Sequence, residues 1–175
     1  MKTFRYIFLI CLVLFITNSI ANAQTKFEKK KVGHIYYLNV PDYMSKTKQL
    51  NDAASLQYQN IIRKAYVIVI EDSKEELESV GAKFTSPDDF YKDFIDTFST
   101  KINNPKAGKP YSVNVHGYNA VQGELTASIE SSDIFYLITV VETKEYFYKI
   151  MCWTVLENKD KLMDDFIKIS SSLRE

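Results

Sequence analysis

From Tyr111 to Leu156 the apolar residues recur at every second position, and the breaks between runs are only a few residues long. Tyr111, Val113 and Val115 alternate with Ser112, Asn114 and His116. Val121, Leu125, Ala127 and Ile129 alternate with Gln122, Glu124, Thr126, Ser128 and Glu130, so this strand has one wet face. Ser131-Ser132-Asp133 turns the chain into residues 134–141, which are apolar on both alternating sets. Residues 142–144 turn it again into the apolar run 146–156. Connections this short cannot make the crossover that parallel neighbours need, so these runs must pair as an antiparallel meander of about four strands.

Two amphipathic helices bracket that meander. Ser86-Pro87-Asp88-Asp89 is a start signal: Ser86 caps, Pro87 fits the first turn, and the two acids face the positive end of the helix dipole. Behind it Phe90, Phe94, Ile95 and Phe98 share one face. At the C-terminus Asn158 is placed to cap, and Leu162, Phe166, Ile169 and Leu173 form a second stripe. Residues 74–79 are expected to form a short helix that Gly81 ends. Before them lie three β-rich stretches, 35–40, 56–62 and 66–70, the first stopped by Pro41. Residues 42–52 are polar and read as loop. The fold class is therefore α+β: an antiparallel sheet with helices on both faces, an α-β-α sandwich.

The first 23 residues read as a secretory leader. Lys2 and Arg5 precede an apolar run from Tyr6 to Ile16, and Ala21-Asn22-Ala23 is a small-x-small cleavage site. The run is shorter than the ~18 residues a membrane span needs. Cys11 lies in mid-run behind Leu9-Ile10, the wrong place for lipid attachment. The expectation is an exported protein, periplasmic or extracellular, with residues 24–175 as one domain and no membrane anchor after cleavage. That domain keeps Cys152 alone, which excludes an intrachain disulfide and points to a buried thiol.

Charge and motif content narrow the function by exclusion. The chain has 22 basic and 22 acidic residues, and Lys2 and Arg5 leave with the leader, so nothing marks a nucleic-acid binder. Lys29-Lys30-Lys31 reads as a solvated segment beside the new N-terminus. His34 and His116 are far apart and lack the further ligands zinc requires, so no metal or other cofactor is expected. Asp88, Asp89, Asp93 and Asp96, and again Asp160, Asp164 and Asp165, fit a helix start and solvated helix faces better than a paired acid–base site. Residues 106–110 share only Gly and Lys with a phosphate loop and read as surface loop. No serine sits in a Gly-x-Ser-x-Gly elbow.

Aromatic content is the remaining lead. Of 12 tyrosines only Tyr6 falls in the leader. Tyr36 and Tyr37 are neighbours on one strand, so their rings point to opposite sides, and burying both needs two covering layers. Tyr118 follows Gly117, where a bend can turn the ring outward. These three are the candidate contact residues. Tyrosine suits contacts that are part apolar and part polar.

The order of elements has a further resonance. It comprises a strand ended by Pro41, a capped helix with Asp88-Asp89-Phe90, and a Gly117-Tyr118-Asn119-Ala120 entry into long antiparallel strands. It closes with a last helix finishing Ile169-Ser170-Ser171-Ser172-Leu173. It resembles the family of the photosystem II extrinsic protein PsbP and the Ran-binding protein Mog1, with their small bacterial relatives, over most of residues 24–175. The resemblance implies an α-β-α sandwich serving as a protein-binding or envelope-complex assembly scaffold without catalytic residues. Two other expectations stand beside it: a carrier of a small apolar ligand held between sheet and helix, and an enzyme whose residues converge only in three dimensions.

Overall fold

The computed structural model describes residues 25–32 and 36–175. The expected leader and His34 lie outside the described residues. Ten strands and three helices follow in the order β1 (Phe27–Val32), β2 (Tyr36–Pro41), β3 (Ser45–Lys46), β4 (Leu56–Asn60), β5 (Ala65–Ser73), α1 (Lys74–Ser79) and α2 (Pro87–Ser99). Then come β6 (Asn103–Ala107), β7 (Tyr111–Val115), β8 (Tyr118–Ile129), β9 (Ser132–Glu142), β10 (Tyr146–Val155), a 3₁₀ turn (Leu156–Asn158) and α3 (Lys159–Ser170). One antiparallel sheet runs β3-β4-β5-β10-β9-β8-β6, with β7 also paired to β8. A separate β1–β2 hairpin forms the second sheet.

The meander is the middle of the large sheet. β9 shows why it must be covered twice: Phe135, Leu137 and Val141 enter one core, while Tyr136, Ile138 and Val140 enter the other. The first core lies under α3 and the β1–β2 hairpin, with Leu38, Val40, Leu162, Phe166 and Ile169 as its lid. The second lies under α2, with Phe90, Tyr91 and Ile95 buried against Val121, Ile138 and Met151. An α-β-α sandwich results, with a hairpin sharing one outer layer.

Local signals explain the helix ends. Ser86 Oγ accepts the Asp89 N–H (3.2 Å), and Pro87 occupies the first turn of α2. Ser73 caps α1 by accepting from Glu76, and Gly81 follows with φ +81. Asn158 does not cap α3; a 3₁₀ turn leads into the helix instead, and the Asn158 amide donates to the Arg63 carbonyl. Leu173 lies beyond the end of α3 yet is fully buried.

Four further expectations change. Residues 42–52 contain the short edge strand β3, and residues 103–107 form β6, whose register slips between Asn103 and Lys106 around Pro105. Proline at an edge bulge forfeits no ladder bond, which is how this segment escaped a reading by alternation. Lys29-Lys30-Lys31 is the middle of strand β1 rather than a solvated leader. His116 is no strand residue but, with Gly117, makes the two-residue β7–β8 turn, both at positive φ (52° and 95°). That is the pattern of a primed hairpin turn.

Candidate binding surface

The β1–β2 hairpin separates the two neighbouring tyrosines. Tyr36 points into the sheet-side core and is fully buried. Its hydroxyl pairs with Ser55 Oγ at 2.7 Å and its ring meets Tyr148 edge-on at 5.0 Å. Burial holds its phenol well above the usual range. Tyr36 is thus a core residue, which corrects its place among the contact candidates: the inward alternate set of β2 (Tyr36, Leu38, Val40) forms the floor of the hairpin.

Tyr37 points the other way and stays partly exposed. Lysines of the neighbouring strand lie over its ring, with Lys29 Nζ 4.0 Å and Lys31 Nζ 5.9 Å from its centroid. Its backbone is fixed from the far side. Tyr37 N–H donates to the Arg174 carbonyl at 2.7 Å, and Arg174 N–H donates back at 3.1 Å. Beside it Asn39 N–H donates to Ser172 Oγ (2.8 Å), and that hydroxyl donates to the Ile169 carbonyl (2.7 Å). The serine-rich end of α3 is therefore the clasp that holds the hairpin onto the helix.

Polar tyrosine contacts continue along this layer. Tyr43 donates to Asp165 Oδ2 at 2.8 Å while Arg63 lies over its ring at 4.0 Å. Burial first, then the Asp165 carboxylate, raises the Tyr43 phenol above its ordinary value. Asp165 itself is buried, unlike the solvated acid expected of it: it faces the segment after β2 and also accepts from Thr25. Lys30 bonds Glu28 at 2.6 Å and sits 5.9 Å from the Tyr58 ring. The Lys30 ammonium holds Glu28 below the usual carboxylate range. Tyr118 opens β8, packed partly against the same core at the β7–β8 turn. The structure thus places the three expected residues differently: Tyr36 inside, Tyr37 on the hairpin's outer face, Tyr118 at a turn.

Cys152 is fully buried, and desolvation pushes its thiol up to about 12, so it carries no thiolate at neutral pH. Among the described residues no three His, Cys, Asp or Glu side chains gather to hold a metal ion. Two open clefts of about 580 and 410 Å³ at the β8–β9 end are lined by mixed polar groups such as Lys64, Asp133 and Glu157, and Lys106 and Ser128. A third, about 430 Å³, lies between α2 and the β6–β7 connection over Ile95, Pro110 and Val121. Tyr91 borders it with a buried, unpartnered hydroxyl, its phenol raised by burial to about 12.

The chain matches no family profile and no curated protein in sequence. Its fold does match solved structures. Cyanobacterial PsbP (CyanoP) from Synechocystis sp. PCC 6803 superposes with a TM-score of 0.65 at 12% identity, over 88% of this chain and 95% of that one. The fold is PsbP/Mog1-like. The Saccharomyces cerevisiae Ran-binding protein Mog1p matches with a TM-score of 0.55 at 7% identity, covering 86% of this chain and 95% of its own. LpqN of Mycobacterium tuberculosis, described as involved in cell envelope biogenesis, gives 0.55 at 11%, covering 86% and 90%. At these identities the PsbP/Mog1-like likeness is one of fold. No helix among the described residues is long and apolar enough to cross a membrane.

Proposed function

We propose that this chain is an exported, non-enzymatic binding domain, residues 24–175, that engages a protein partner in the cell envelope through the outer face of its β1–β2 hairpin. The observation that carries the reading is Tyr37, an aromatic ring turned away from the core on a clasped strand, with Lys29 and Lys31 over it. Tyrosine and a cation on a fixed backbone offer apolar area, a hydroxyl and charge with little ordering cost. Tyr118 is the second contact candidate. Both cores are filled by side chains from the layers above them, which leaves the sandwich's interior to packing and its outer layer to recognition. Mog1p, a Ran-binding protein, and LpqN, involved in cell envelope biogenesis, lend support by fold alone.

Photo-crosslinking in the native envelope from position 31, the exposed neighbour of Tyr37 across the hairpin, tests this. A defined partner should be captured, Tyr37→Ala should weaken capture while leaving the thermal transition in place, and intact mass should show a mature start at Gln24. Equal capture by Tyr37→Ala would remove the hairpin face, and a retained leader would remove the envelope address.

The cleft beside α2 supports a second reading, a carrier of a small apolar ligand, because Ile95, Pro110 and Val121 give it an apolar floor and Tyr91 sets an unpartnered hydroxyl at its edge. Displacement of a fluorescent apolar dye, abolished by Ile95→Arg, would favour it.

A further inference from the structure

Strand β1 has one edge with no partner strand among the described residues. Which backbone groups face that edge follows from the ladder. Asp42 N–H donates to the Lys26 carbonyl at 2.9 Å, and the register pairs Glu28 with Val40 and Lys30 with Leu38. Bonded pairs alternate in an antiparallel ladder, so Lys26, Glu28, Lys30 and Val32 bond inward to β2. On β2 the other set turns away from β1: Tyr37 bonds Arg174 and Asn39 bonds Ser172. By the same alternation the N–H and C=O groups of Phe27, Lys29 and Lys31 point out of the free edge.

That edge is also basic. Lys26, Lys29, Lys30 and Lys31 lie within or beside β1, against a single acid, Glu28, which Lys30 already neutralises. In a chain with equal numbers of acids and bases this is a local concentration of one sign. Lysines commonly guard an edge against chance pairing. The same guard selects: it repels a basic strand, gives a neutral one no charge partner, and attracts an acidic one.

We infer that the free edge of β1 docks an extended acidic segment of a partner protein, which adds as a third strand to the hairpin with its carboxylates set against Lys29 and Lys31. This deepens the proposed function, on which it rests, by naming the partner's chemistry. Each outward N–H and C=O of Phe27, Lys29 and Lys31 then gains a main-chain bond, and the incoming strand lies one strand beyond Tyr37, next to Lys29 and Lys31. An anionic lipid surface offers charge but no repeating main-chain donors and acceptors, so the free ladder groups favour a peptide.

The probe is a peptide of alternating Glu and Val, about eight residues long, added to the mature protein. Amide exchange should slow at Phe27, Lys29 and Lys31, and affinity should fall with added salt. A version with central prolines should bind about tenfold more weakly or worse. Lys29→Pro should abolish binding while keeping the fold, since the Lys29 N–H makes no bond to β2; Lys29→Ala, which removes the charge alone, should weaken it less. Lys30→Pro, which breaks the hairpin itself, is the control for misfolding. Equal binding of the proline peptide, no exchange protection at the three amides, or binding to phosphatidylglycerol vesicles in place of the peptide would overturn the inference. If Lys29→Pro leaves envelope crosslinking from position 31 intact while Tyr37→Ala weakens it, the edge is wrong and the binding face stands; loss of neither removes both.

Discussion

The two faces of the central sheet are covered by different chemistry. Beneath α2 the contacts are those of phenylalanine: Phe90 stacks on Phe147 at 4.5 Å, Phe84 meets both edge-on, and Phe98 packs against Tyr136. Beneath α3 and the hairpin the contacts are those of tyrosine with a partner for its hydroxyl. Tyr36 holds Ser55, Tyr43 holds Asp165, and Tyr148 donates to Glu175 at 2.9 Å. A dry aromatic stack needs only to exclude water. The tyrosine layer also fixes direction, because a hydroxyl must meet its acceptor. It positions a two-stranded element that no ladder bond joins to the main sheet, and so it creates an outer face with a defined orientation.

That contrast can be broken most severely at Phe166, fully buried where α3 meets the sheet. Phe166→Asp should cost about 4 kcal/mol or more, enough to unfold the domain, because the carboxylate finds no cation there. An unchanged thermal transition would mean that α3 is not integral to the core.

Alkali should attack the tyrosine layer. Burial raises the phenols of Tyr36, Tyr43 and Tyr148, and the carboxylates of Asp165 and Glu175 add to it for the latter two. A group whose folded pKa lies above its unfolded value contributes its stability fully below that unfolded value, about 10 for tyrosine, and loses it as pH rises. The melting temperature should therefore fall steeply above about pH 10. Tyr43→Phe should flatten that fall; a flat profile in the unsubstituted protein would contradict the burial of these hydroxyls.

On the α2 face Gly123 lies hard against Tyr91. A Cβ there would overlap the Tyr91 hydroxyl and lie 2.9 Å from its ring carbon Cζ. Gly123→Ala should cost about 1–3 kcal/mol by overpacking. Tyr91→Phe removes a hydroxyl that has no partner, so it should be near neutral alone and should recover part of the loss in the double variant. Additive effects in denaturant melts would show that the two do not touch.

The smallest effect belongs to Cys152, on the tyrosine side. Cys152→Ala should cost about 1 kcal/mol, and a thiol reagent should label the native protein only as fast as it opens. Prompt labelling would contradict a fully buried, protonated thiol.

Much of this was legible beforehand where physics is local. Ser86-Pro87 started a helix, Gly81 followed one, and the short breaks around Ser131 and Lys144 left antiparallel pairing as the only option. Strands apolar on both sets, such as β9, required two covering layers, and two layers are present. The segments that escaped were edges. β1 is rich in lysine and β6 holds a proline, because an edge strand packs only one flank and sheds the hydrophobic alternation by which strands are recognised.

The sequence by itself determined that Tyr36 and Tyr37 must face opposite ways, since neighbours on a strand always do. It could not say which ring goes inside. That depended on Ser55 and Tyr148 meeting one ring, on Lys29 and Lys31 roofing the other, and on Ser172 and Arg174 clasping β2 from across the chain. Asp165 makes the same point: its helical position reads as solvated, and only the segment after β2, carrying Tyr43, buries it. Alternation and capping are properties of neighbouring residues. The partners that bury Asp165 and clasp β2 lie more than a hundred positions away, and only the packed chain brings them together.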